Sequence, residues 1–150
     1  ADCRLPDECE ITVVMGSTAP WRALVKQQAK ALPWSTEVCV GVNNMAQLMA
    51  DSDVCIGAAG ATSWERCCLG LPTAVLVLAT NQRHGASLLA KTGAARMVFL
   101  NQSLVSQLNK FFCDAMFDDN YLTSMSINAR RIVDGQGSMR VLSRVLGGLT

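Results

Sequence analysis

Apolar and polar positions divide the chain into two regimes. Up to about residue 100, short unbroken apolar runs alternate with segments of helical spacing; beyond it, helical spacing continues alone. Glu10–Met15 (EITVVM) is rich in β-branched residues and halts at Gly16-Ser17, which predicts a buried strand. Ser17 or Thr18 is placed to cap the helix that follows, with Pro20 in its first turn and an end near Leu32, before Pro33. A second strand is predicted over residues 37–42. Asn43 or Asn44 then caps a short helix through Met45, Leu48 and Met49. A third strand over 53–57 opens into the small-residue loop Gly57-Ala58-Ala59-Gly60 and a helix that stops at Gly70. After Pro72 come a fourth strand over 73–78, a helix ending at Gly93 and a short strand over 97–100.

The predicted strands are continuous apolar runs separated by helices. That pattern belongs to a parallel sheet covered on both faces, joined by right-handed crossovers. In the last third, Leu104, Leu108, Phe111, Phe112 and Met116 recur at helical spacing, as do Leu122, Met125, Ala129, Ile132 and Val133. Residues 135–137 break the pattern, and Met139, Leu142, Val145 and Leu146 resume it. Amphipathic helices packing on the sheet are expected there. The reading is one domain of class α/β: a leader over 1–9, the sheet and its helices over 10–100, and C-terminal helices over 101–150.

Composition narrows the partners. Half of the 150 residues are hydrophobic, which excludes a disordered chain, and the net charge of +1 with no basic cluster argues against nucleic acid. No apolar run is long enough to span a bilayer and no signal-peptide pattern is visible; the cysteine usage, read as reduced thiols, is what sets the expectation of a cytoplasmic location. There are seven cysteines. Cys39, Cys55, Cys67, Cys68 and Cys113 lie in apolar segments and read as reduced, buried thiols, whereas Cys3 and Cys9 sit in the polar leader and are candidates for reactivity. No pair has zinc-ligand spacing, so no metal and no cofactor are expected.

In an open parallel sheet, ligands bind beyond the carboxyl ends of the strands. The candidates are therefore the loops at Gly16-Ser17-Thr18, Val42-Asn43-Asn44, 57–63 and 79–82. The third is the most informative. Its glycines let backbone approach a ligand, and the following helix start offers free N–H groups to a phosphate. Glu65, one turn in, is placed to accept two hydrogen bonds from a ribose diol. Thr62-Ser63-Trp64-Glu65 is equally a capping box, and spacing leaves both roles open. The same holds for Asn81 and Gln82, which suit either a helix cap or a substrate contact. His84 is the only histidine; on a helix it reads as a surface or capping residue, with a base as the alternative. Trp21, Trp34 and Trp64 read as core or edge residues, Met45 and Met49 as core, and Arg130-Arg131 as a solvated helix face.

Asn44-Met45-Ala46-x-Leu48-Met49, the block from Gly57 to Pro72 (GAAGATSWERCCLGLP) and Ala79-Thr80-Asn81-Gln82 together resemble the C-terminal half of the PseG-type UDP-sugar hydrolases of pseudaminic acid biosynthesis. Those proteins are similar to the GT-B glycosyltransferase that adds N-acetylglucosamine to the peptidoglycan lipid precursor. The resemblance runs from about Ile11 onward. It implies a Rossmann-like, GT-B nucleotide-binding domain and a ligand, UDP or UDP-2,4-diacetamido-2,4,6-trideoxy-β-L-altropyranose, whose hydrolysis releases UDP. It implies that Glu65 holds the ribose hydroxyls, and that backbone near Val42 pairs with the uracil edge. The resemblance further implies that Gly60, Ala61 and Thr62 lie by the phosphates, that Asn81 helps place the attacking water, and that Gln82 faces the sugar. Gly16, Ser17, Met45 and Ser63 are also expected in the binding set.

Departures from the family carry equal weight. The family's presumed catalytic histidine belongs to an N-terminal domain not found in this chain, and His84 does not match it. A first strand–helix unit with a Gly-Gly loop is also not found. The expectation is a fragment that binds a UDP-sugar without turning it over, joined by an N-terminal half or by a second copy that covers a bare sheet edge. A glycosyltransferase domain using the same pocket, and a non-catalytic self-associating α/β module, are the competing readings.

Overall fold

The computed structural model describes residues 5–100 and 103–147. Cys3 therefore lies outside the described residues. The chain separates into two compact units, residues 1–45 and 46–150.

The first unit is a strand–helix–strand element: β1 (Glu10–Met15), α1 (Arg22–Lys30) and β2 (Ser35–Val40). The strands are parallel, in register from Glu10↔Ser35 to Met15↔Val40. Burial alternates along β1, with Ile11, Val13 and Met15 half-buried and Glu10, Thr12 and Val14 exposed. The unbroken apolar run therefore does not mark burial on both faces here. Neither Ser17 nor Thr18 caps α1. The chain makes a turn closed by Ala19 N–H on the Gly16 carbonyl, and the helix starts only after Trp21, without a side-chain cap. Pro20 consequently lies outside the helix. Gly41, with φ at +66°, ends β2 two residues earlier than its apolar run suggests.

The second unit holds β3 (Cys55–Ala58), α3 (Thr62–Leu69), β4 (Thr73–Leu76), a 3-10 turn (Thr80–Gln82), α4 (Arg83–Lys91) and β5 (Arg96–Val98). Helices α5 (Leu104–Phe117), α6 (Tyr121–Ile132) and α7 (Gly137–Gly147) follow, and α2 (Met45–Ala50) starts at the junction of the units. The strands form one parallel sheet in the order β3-β4-β5. β4 stops at Leu76 because Ala58 and Val98, its partners on either side, are the last residues of their own strands. Its predicted tail to Leu78 has nothing to pair with.

The central strand shows why its sequence is uniformly apolar. Side chains alternate across a strand, so Ala74 and Val75 enter opposite layers. Val75 packs with Cys67, Ala86, Leu89 and Ala129, while Ala74 packs with Val98, Phe111 and Met125. This sheet has helices on both faces, as an α/β domain requires. Phe111 also meets the Phe112 and Tyr121 rings, the latter edge-on at 6.0 Å.

Four expectations need correction. Among the five thiols placed in apolar segments, only Cys67 is buried; Cys39, Cys55, Cys68 and Cys113 are half-buried, because short edge strands and helix flanks leave one side open. Trp21 is 67% exposed and Trp64 is exposed as well, so neither is core. Arg130 is more than a solvated residue: its guanidinium donates to the Leu69 carbonyl at 3.0 Å and so closes the end of α3. Finally, α7 buries none of its residues, and Met139, Val141, Leu142, Val145 and Leu146 are exposed. Its apolar stripe does not pack on the sheet. No described helix is long and apolar enough to cross a membrane.

Candidate functional site

β3 and β4 are hydrogen-bonded neighbours running the same way, so the loops that leave them emerge side by side. The Ala59 N–H, just past β3, donates to the Leu76 carbonyl at the end of β4. The first loop leads through Gly60 and Ala61 into α3; the second leads through Leu78 and Ala79 into the 3-10 turn. The fold thus brings Gly60, Ala61, Thr62 and Glu65 to the same sheet end as Asn81 and Gln82. Gly16, Ser17 and Val42 lie in loops of the first unit, and Met45 is the first residue of α2.

The start of α3 carries unpaired donors. Ser63 N–H bonds back to the Gly60 carbonyl and Trp64 N–H to that of Ala61, while the N–H groups of Gly60, Ala61 and Thr62 have no acceptor among the described residues. The capping box does not form. Ala61 occupies the cap position with no side-chain cap, and Thr62 is already helical. The Glu65 carboxylate is therefore not used on the backbone; it is exposed and makes no hydrogen bond or ion pair among the described residues. Ser63 is spent differently. It is buried, accepts from Arg66 Nη2 at 2.9 Å, and reaches the Ala58 carbonyl at 3.4 Å. Both its hydroxyl and its N–H serve the loop itself.

Glu65 stands on the rim of a hollow of about 400 Å³ between α2, α3 and the segment after α6. Its walls are Met49, Trp64, Cys68, Leu69 and Val133, with Glu65 the one ionisable carboxylate. That volume suits a drug-sized or nucleoside-sized ligand, and a mostly apolar wall with few polar anchors is the common form of such sites. A second hollow, of about 320 Å³, lies over Arg96, Gln107 and Lys110. Its polar groups are occupied: Gln107 bonds both the N–H and the carbonyl of Phe99, and Arg96 and Lys110 both approach Asp114.

At the neighbouring loop, Gln82 Oε1 accepts from the Leu78 N–H at 3.0 Å and ties the loop shut. Its amide nitrogen makes no hydrogen bond among the described residues. Asn81 is exposed inside the 3-10 turn and caps nothing. His84 is exposed in the first turn of α4.

The residue that sequence reasoning passed over is Arg66. It is only 5% exposed. Its Nη2 donates to the Ala58 carbonyl at 2.7 Å and to Ser63 Oγ, and its Nη1 faces Cys55 Sγ at 3.9 Å. A Cβ at position 57, near the end of β3, would collide with the guanidinium, which is why glycine stands there. Ser63, Arg66 and Cys67 share the buried side of α3, but a stripe that includes serine and arginine carries no apolar signal, so its spacing alone did not mark it as buried. Burial raises the Cys55 and Cys67 thiol pKa values, opposed in each case by the nearby Arg66 charge, so neither is a ready thiolate at neutral pH.

Known proteins share this design. Residues 6–139 match the description of the glycosyltransferase family 28 C-terminal domain. The chain is 30% identical over 135 residues to the spore coat polysaccharide biosynthesis protein SpsG of Bacillus subtilis (strain 168), covering 85% of this chain and 38% of that protein. Among solved structures it is similar to Acinetobacter baumannii MurG, with a TM-score of 0.77 at 22% identity over 93% of this chain and 42% of that one. A UDP-N-acetylglucosamine 2-epimerase is also similar, with a TM-score of 0.59 at 14% identity over 93% of this chain and 43% of that one. These two likenesses are ones of fold. The chain spans about two-fifths of the length of each of these relatives.

Proposed function

Because the chain belongs to the glycosyltransferase family 28 C-terminal domains, we propose that it binds a UDP-sugar and forms the nucleotide-holding part of an enzyme acting at the anomeric carbon. One observation carries the reading. Glu65, exposed and unpartnered on the rim of an apolar hollow, follows by one turn a run of free N–H groups at Gly60, Ala61 and Thr62. Those donors and the positive end of the α3 dipole receive the diphosphate. Glu65 accepts from the ribose diol through charge-assisted hydrogen bonds. Asn81 orients the attacking group, and the free amide of Gln82 meets the sugar.

The acceptor we assign is water, giving hydrolysis of a UDP-sugar with release of UDP; the resemblance of the Gly57 to Pro72 block to UDP-sugar hydrolases supports this. Transfer to a sugar or lipid acceptor is the second reading, favoured by the family itself and by the fold shared with MurG. Either step needs a positioned base. Exposed His84, on the first turn of α4, is not tied to either loop by any hydrogen bond. The base is assigned to polypeptide outside this chain. Calorimetry with UDP and ADP tests the binding: UDP is expected to bind and ADP to bind more weakly. Equal affinities remove the uridine assignment. Coupled detection of UDP release from a UDP-sugar is expected to stay at background for the chain alone; steady release overturns the assignment of the base.

A further inference from the structure

Arg66 is a buried cation with no carboxylate partner among the described residues. None of the ion pairs among the described residues includes it, and its Nε is buried without an acceptor. A buried charge whose partners among the described residues are a carbonyl, a hydroxyl and a thiol costs stability; an apolar side chain of similar volume would be the more stable choice. Such an uncompensated group calls for an explanation. Its position supplies one. Nη2 holds the Ala58 carbonyl and the Ser63 hydroxyl, and so ties together the two ends of the segment whose N–H groups at Gly60, Ala61 and Thr62 find no acceptor among the described residues. Its field already reaches the Cys55 and Cys67 thiols, where it opposes the effect of burial.

We infer that Arg66 is the built-in counter-charge of the diphosphate site: a positioning residue that pins the Gly57–Gly60 loop and puts a fixed positive charge behind its donors. It does not touch the ligand. It turns the Ala58 carbonyl away from the anion and strengthens the loop's N–H groups, in a setting where protein rather than water surrounds the charge. The missing carboxylate is then functional, since an ion pair would cancel the field that the phosphates are to meet. The Gly57 hydrogen makes room for the guanidinium, and Ser63 holds it in place.

The inference rests on the proposed nucleotide site, and the test separates the two. UDP, UMP and uridine are titrated into the wild-type chain and into Arg66→Gln and Arg66→Lys, with melting curves on each. The wild type is expected to prefer UDP over uridine; if it binds no UDP, the nucleotide reading itself fails. Arg66→Gln is expected to lose roughly tenfold or more of UDP affinity while uridine affinity stays within about twofold. Arg66→Lys, which keeps the charge but not the fork, is expected to melt lower yet retain most of the preference for UDP. A purely structural role moves UDP and uridine together. Should Arg66→Gln not fold, Ser63→Ala, which frees one side of the guanidinium, is expected to lower the UDP preference about threefold. Wild-type preference in Arg66→Gln, equal losses for both ligands, a preference lost in Arg66→Lys, or an unchanged Ser63→Ala overturns the inference.

Discussion

Gly57 and Arg66 are a pair in which one residue's lack of a side chain fixes the other's place. Adding a methyl at 57 displaces Nη1 and breaks the grip on Ala58 and Ser63. Gly57→Ala is expected to cost about 1–3 kcal/mol, as overpacking does, seen as a lower urea midpoint with an unchanged slope. Glu65 should behave in the opposite way. Because it caps nothing and is exposed, Glu65→Gln is expected to leave stability within about 0.5 kcal/mol. Its UDP affinity should fall by roughly 1–3 kcal/mol, the worth of charged hydrogen bonds. A stability loss with unchanged affinity would return Glu65 to the capping role. Spacing left those two roles balanced, because a box and a ribose clamp ask for the same acid one turn into a helix. The backbone resolved the capping half of the question by starting α3 at Thr62 instead of after it.

At the level of elements, the glycine stops after helices were the most legible part, whereas β2 and β4 end two residues short of their apolar runs. Gly70 and Gly93, both with left-handed φ, end α3 and close the turn after α4 where the sequence placed them. At Gly70 a Cβ would also meet Arg130 and Ser126 of α6, so the stop doubles as a helix–helix contact. Gly70→Ala is expected to destabilise by about 2 kcal/mol or more, adding the left-handed penalty to the clash, with thermal unfolding as the measurement. The starts were less legible. Ser17, Thr18 and Thr62 are all good caps in sequence, but a turn at 16–19 and the early start of α3 leave each of them unused. The stripe of α7 was legible as well, but its burial was not. A chain ending at residue 136 is expected to melt within about 2 °C of the parent, since α7 contributes no buried side chain.

For the molecule as a whole, linkage offers a direct check on the proposed function. Free UDP at about a hundred times its Kd should stabilise the fold by about 2.7 kcal/mol, read as a rise in Tm that ADP does not match at the same concentration. No rise would mean that the hollow beside Glu65 is not the nucleotide's place. The order of elements and the parallel α/β class were written in the sequence, because strand length, apolar runs and glycine stops are local signals that survive without any partner. Burial was not written there. Similar apolar runs became a half-exposed β1 and a β4 buried over Thr73, Ala74 and Val75, because β4 has a strand on each side and helices on both faces. Arg66 became a buried charge for the same reason: only the packing of α3 against β3 sets its guanidinium against the loop, and contacts between distant segments are what a one-dimensional pattern does not encode.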